Sequence, residues 1–122
     1  MQQTMPWPTE LRVADEGRVL KIAFDDGSAF DLSAEYLRVE SPSAEVQGHG
    51  PGQRVTQHGK QLVQIKQVQP TGNYAVRLLF SDGHSTGIYP FTYLHELGRD
   101  FVQKWAAYEA ELAAKGLRRA PK

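Results

Sequence analysis

The chain has 122 residues, 40% of them hydrophobic and 23% charged, with a formal net charge of zero and no cysteine. That balance fits one globular domain with its own core. It leaves no basic footprint for nucleic acid and no apolar run near the ~18 residues of a membrane span. It also leaves no thiolate for zinc, iron–sulfur clusters or nucleophilic catalysis.

Met1 to Pro8 has neither a basic start nor an apolar run. No secretory signal is read there, and the expected location is the cytoplasm. Residues 1–9 read as a lead-in arm. Leu11-Arg12-Val13 alternates as a short strand, and Asp15-Glu16-Gly17 is a turn. Arg18 to Phe24 has the period and β-branched content of a strand, Asp25-Asp26-Gly27 turns it, and Ala29 to Leu32 returns. Ser33 is placed to cap a short helix over 34–38. Ser41 followed by Pro42 predicts one more helical turn, stopped by Gly48. A glycine-rich connection follows, and loops of that length in compact domains tend to be functional.

Gln61 to Gln69 reads as a half-buried strand, with Leu62 or Val63, then Ile65 and Val68, turned inward. Pro70 to Asn73 turns the chain into the central hairpin, Val76 to Pro90, around Asp82-Gly83. Both hairpins end in Phe-x-Asp-Gly and both are followed by Tyr-Leu, at Tyr36-Leu37 and Tyr93-Leu94. Two readings fit: a duplicated unit, or two hairpins that need the same turn chemistry. Asp100 is the expected cap of a last helix whose Phe101, Trp105, Tyr108 and Leu112 share one face. Gly116 ends it, and residues 116–122 form a basic tail, read as solvated and frayed. The segments expected are thus an arm over 1–9, a domain over 10–98, a packed helix over 99–115 and the tail.

Several chemistries can be weighed against simpler explanations. Gly83-His84-Ser85-Thr86-Gly87 matches a nucleophile-elbow pattern, but that motif needs a helix directly after it, and here a strand follows. Gly48-His49-Gly50-Pro51-Gly52 lacks the lysine and hydroxyl of a phosphate loop. The histidines His49, His58, His84 and His95 show none of the spacings of zinc or iron sites. The late aromatic cluster suits a core better than a nucleic-acid platform.

The run Leu37 to Gly50, with Gly72-Asn73-Tyr74-Ala75-Val76 and Ser81 to Tyr89, resembles the γ-butyrobetaine hydroxylase-like N-terminal domain, a former domain of unknown function, from about Pro8 to Gly98. The resemblance implies a domain found alone in bacteria, ahead of Fe(II)/2-oxoglutarate oxygenase domains, and behind ATPases of the iron–sulfur carrier type. It implies a zinc site in the hydroxylases, whose histidine falls on His84 and whose three cysteines fall on Ser41, Ser43 and Val46. Serine is a poor zinc ligand and valine is none, so no structural zinc is expected.

The expected fold is α+β: a mainly antiparallel sheet of two related hairpins and an extra strand, with short helices and a C-terminal amphipathic helix. The expected function is a non-catalytic binding or accessory domain without cofactor. It would act on a protein partner of iron–sulfur or oxygenase-related type through the 41–52 loop and the 84–93 segment. Arg38, Glu45, His49 and His84 are the expected polar contacts, with Tyr89 and Tyr93 as aromatic anchors. The alternative is an auxiliary factor of iron or iron–sulfur metabolism that binds iron or zinc through His49 and His84.

Overall fold

Alternation along Val19 to Phe24 turns Leu20, Ile22 and Phe24 inward, and all three are buried. The computed structural model describes residues 6–48, 50 and 52–121. Among these, strands β1 (Pro8–Ala14), β2 (Val19–Phe24) and β3 (Ala29–Ser33) form one antiparallel meander. Helix α1 (Ala34–Val39) follows it directly, then the short α2 (Ala44–Gln47). A second meander, β4 (Ile65–Thr71), β5 (Ala75–Phe80) and β6 (Gly87–Pro90), is followed by α3 (Phe91–Arg99) and α4 (Phe101–Lys115). The fold is α+β with antiparallel strands, as expected, and the strands fall into two three-stranded sheets. No helix among the described residues is long and apolar enough to cross a membrane.

The two units match beyond their order. In each turn the aspartate side chain accepts the amide two residues on, Ser28 from Asp26 and His84 from Asp82. In each, the glycine donates to the phenylalanine carbonyl, Gly27 to Phe24 and Gly83 to Phe80. Gly27 and Gly83 hold φ of +90° and +93°, which only glycine adopts at low cost. The units also exchange contacts reciprocally. Tyr36 of α1 donates to Leu97 O at the end of α3, and Tyr93 of α3 donates to Glu40 O just past α1. Arg38 of α1 reaches Asp82 in the other unit's turn, and His95 of α3 reaches Asp26. Such reciprocity is what a two-fold relation between repeated units produces, and it goes beyond shared turn chemistry.

Leu20, Ile22, Leu32, Tyr36 and Leu37 of the first unit share a core with Leu78, Phe80, Tyr89, Leu94 and Leu97 of the second. Helix α4 adds a smaller cluster: Tyr108 and Leu112 are buried against Val39, with Trp105 and Leu117 packed beside them.

Local expectations were met unevenly. Ser33 caps α1, its Oγ accepting Tyr36 N–H at 3.0 Å. Asp100 does not cap α4 with its side chain, because Arg99 binds both its carboxylate oxygens. The helical turn expected from Ser41 begins at Ala44, and Gly48 ends it as expected. Strand β4 starts later than Gln61 and runs through Pro70, which an edge strand tolerates. Of its expected inward residues Val63 and Ile65 are buried, while Leu62 is 56% exposed. The basic tail is tied down rather than frayed. Arg118 and Arg119 carbonyls accept from Gly59 and Gln61 amides, and the Arg119 guanidinium grips buried Glu35 with two bonds of 2.8 Å. Trp7 is half exposed, edge-on to Phe91, and its backbone pairs with Asp25.

Candidate functional site

The 41–47 segment and the 84–89 segment meet where α1 ends against the β5–β6 turn. Ser41 Oγ lies 2.9 Å from His84 Nε2, and Ser43 Oγ lies 3.4 Å from the same nitrogen. The two hydroxyls are 3.2 Å apart, and Ser41 Oγ also accepts the Ser43 amide. Ser41, Ser43, Val46 and His84 are all buried. On the outer side, Glu45 stands 3.6 Å from His84 Nδ1 and accepts the Thr86 hydroxyl. Burial, reinforced by the nearby Arg38 charge, lowers the His84 pKa and favours the neutral ring. A proton on Nδ1, towards Glu45, then leaves Nε2 to accept the Ser41 hydroxyl.

The two units differ at this corner, and the difference leaves room for a polar pocket. At the end of α3, Gly98 makes room for the Phe30 ring of β3, which fills the space with carbon. At the matching place past α1 stands Ser41, and the β6 residue facing it is Gly87. A Cβ on Gly87 would sit 2.6 Å from Ser41 Oγ and 3.0 Å from the Tyr89 ring. One unit closes this corner with an aromatic ring. The other keeps it open for a serine–histidine network.

Arg38 and Asp82 close the site from below. Arg38 Nε binds Asp82 Oδ2 at 2.8 Å, and Lys60 Nζ binds the same oxygen at 2.6 Å. Burial resists ionisation of Asp82. The Lys60 ammonium, the His84 amide and Arg38 together outweigh it and hold the carboxyl down at about 2.

Of the expected polar contacts, Arg38, Glu45 and His84 lie in one cluster, but not all of them on the surface. Arg38 and His84 lie inside, and of the three only Glu45 faces solvent. Tyr89 is no surface anchor: it is 0% exposed, and its hydroxyl donates to Leu37 O. As residue i+2 of Gly87 it points inward, so Thr86 and Ile88 take the outer face, with Ile88 41% exposed. Tyr93 is half-buried and its hydroxyl is spent on Glu40 O. His49 lies outside the described residues. Asp82 and Lys60 were missed because a turn aspartate and a loop lysine carry no mark of a partner far along the chain.

The chain's sequence matches the γ-butyrobetaine hydroxylase-like, N-terminal family over residues 11–95. The chain belongs to that family. Two members of this fold, both solved by NMR in solution, are 43% and 45% identical to it. The first superposes with a TM-score of 0.83 over 98% of this chain and 94% of the other. The second superposes with 0.81 over 99% and 90%. A crystal structure of a DUF971-family protein of unknown function from Acidithiobacillus ferrooxidans is 40% identical, with a TM-score of 0.62 over 75% of this chain and 91% of that one. No curated protein matches.

Within this γ-butyrobetaine hydroxylase-like domain three positions of the zinc set implied by the resemblance come together as Ser41, Ser43 and His84, and the fourth, Val46, is buried one helical turn on from Ser43. Two hydroxyls, a hydrocarbon and an imidazole already bonded to serine do not fit a zinc ion. Among the described residues no group of three or more His, Asp or Glu side chains is placed to hold a metal.

Proposed function

We propose that this γ-butyrobetaine hydroxylase-like domain is a non-catalytic, cytoplasmic binding module that docks on a protein partner. The docking face is the outer side of the 41–47 and 84–88 segments. One observation carries the reading. The two segments are fastened to each other from beneath by the serine–histidine network, so Glu45, Thr86 and Ile88 stand on a rigid base. Val55, 53% exposed, adjoins this face because its amide bonds to Val46 O. A preorganised face loses little side-chain freedom on binding, which raises the affinity available from a small contact. An iron–sulfur or oxygenase-related protein is the partner class that the family's company suggests.

Comparative capture from the native host tests this reading. Ile88→Asp puts a charge on the face without touching the core. A partner retained by the wild type in near-stoichiometric amount should be lost by Ile88→Asp. Equal capture by both proteins sinks the reading.

A further inference from the structure

Two of the four outer strand edges are covered: α3 packs on β3, and β6 meets the 37–45 stretch through Gly87 and Tyr89. The edges of β1 and β4 are open and line one groove. It measures about 440 Å³ at its Trp7 end and about 330 Å³ at its Val13 end, with Leu11 and Val68 common to both. No backbone bond crosses it among the described residues. Ladder alternation fixes which backbone groups point into it. Phe24 N–H donates to Ser28 O and Asp25 N–H to Trp7 O, so Ala23, Lys21 and Val19 face β1 and pair with Glu10, Arg12 and Ala14. Leu11 and Val13 therefore turn their N–H and C=O groups outward. The same argument from Phe80 and Ser81 turns Val68 and Pro70 outward in β4.

The two units differ at this edge. Val13 and Pro70 hold matching places, opposite Leu20 and Val76. Proline has no N–H, and a proline or lysine on an edge is how native sheets avoid adding strands. Strand β4 carries both, Pro70 and, in its bulge, Lys66. Strand β1 has Val13 and Thr9 at those places, so its outward donor is intact. The apolar floor beside it is uncovered. Val13 shares the core face with Leu11 yet is 39% exposed, and Trp7 at the other end is 49% exposed. The stretch near Val13 is lined by Arg12 and Lys66 and by no carboxylate. Arg12 pairs with Glu10 on its own strand, whereas Lys66 has no ion pair among the described residues.

We propose that an extended segment of a protein partner adds to β1 as a further strand, with alternate apolar side chains in the groove and an acidic one facing Lys66. Backbone bonds to Leu11 and Val13 supply affinity, and the groove and Lys66 supply sequence preference. The occupant is an extended chain because a helix satisfies its own amides and carbonyls and would leave those of β1 unmet. This goes beyond the docking face, which lies on the 41–47 and 84–88 segments, and does not rest on it.

The test is selection of a random linear peptide library, displayed on phage, against the full chain, followed by NMR of the ¹⁵N-labelled chain with a synthetic copy of an enriched peptide. The enriched peptides should alternate apolar residues and carry one acid. Their binding should slow hydrogen exchange at the Leu11 and Val13 amides. Val13→Pro copies the second unit, spares the ladder bonds to β2, and should weaken binding about tenfold. Lys66→Glu changes an exposed side chain and should shift the selection from acidic to basic peptides, so it decides the matter should Val13→Pro not fold. No enrichment, equal binding by Val13→Pro, an unchanged selection by Lys66→Glu, or protection elsewhere on the chain overturns the proposal. So does a wild type that dimerises while Val13→Pro stays monomeric, since the occupant is then a second copy. Ile88→Asp should bind the peptides as tightly as the wild type. Loss of binding in that variant assigns them to the docking face and removes this edge.

Discussion

Single residues decide where this fold is filled and where it is left open, and the glycines opposite Phe30 and Ser41 show how. Gly98 lies in α3, where exposed helix positions gain about 1 kcal/mol on replacing glycine by alanine. Propensity alone thus predicts that Gly98→Ala stabilises the protein. The structure predicts the opposite sign, because the new methyl would overlap the Phe30 ring, which is itself packed against Phe24 and His95. Overpacking of that kind costs about 1–3 kcal/mol. Gly98→Ala should therefore lower the denaturation midpoint, with the slope unchanged. A raised midpoint would show that Phe30 moves aside freely.

At the scale of elements, α1 and α3 hold the two units together through their crossed tyrosine bonds. The Tyr36 and Tyr93 hydroxyls each bond a carbonyl at 2.7 Å, and burial raises both phenols well above their ordinary pKa. Tyr36→Phe removes a donor and strands the Leu97 carbonyl in the core, a loss of about 1–2 kcal/mol. Tyr93→Phe does the same to Glu40. If the pair acts as one clasp between the units, the double variant should deviate from additivity in urea denaturation. Strict additivity would mean that the two bonds are independent. A different clasp holds α4 and the 53–57 stretch. The Arg54 fork binds both Glu40 and Glu111, and Tyr108 donates to Gln57 O. The charge pattern of neither segment announces this, since the acids lie 14 residues before Arg54 and 57 after it.

For the whole molecule, the buried titratable groups give acid sensitivity a definite direction. His84 is held neutral by burial, so its folded-state pKa lies below the unfolded value. Stability from this source is full above about pH 6.5 and falls as acid protonates the unfolded chain first. Asp82, at about 2 when folded against about 3.9 unfolded, contributes stability above pH 4 that is lost on descent towards pH 2. Solvent screening trims that contribution to about 1–2 kcal/mol. Glu40 works in the other sense: burial, only partly offset by Arg54, raises its carboxyl, so its penalty eases on acidification. Unfolding free energy measured from pH 7 to pH 2 should fall in two stages. Asp82→Asn should flatten the lower stage and somewhat enlarge the upper one, because the Asp82 charge opposes the lowering of the His84 pKa. A lower stage of unchanged size in that variant would remove Asp82 as its cause.

The sequence by itself determined the elements and their order, because hydrophobic period, turn glycines and caps act within a few residues of where they stand. Leu20-Lys21-Ile22-Ala23-Phe24, Asp82-Gly83 and the Trp105, Tyr108, Leu112 face of α4 were legible for that reason. So was the likeness of the two hairpins. The meeting of the 41–47 and 84–88 segments was also legible, through the positions that the family resemblance matched. Only the tertiary structure decided which side of each residue faces out. Burial is a property of what packs against a residue from elsewhere in the chain. Tyr89 turned inward because strand alternation beside Gly87 put it on the core face, and Ile88 took the surface. Lys60 joined Arg38 on Asp82 because the chain between the units passes the second turn, and nothing local to Lys60 encodes that path. The basic tail docked because Glu35 was buried within reach of Arg119, 84 residues away, where an unpaired carboxylate would be costly.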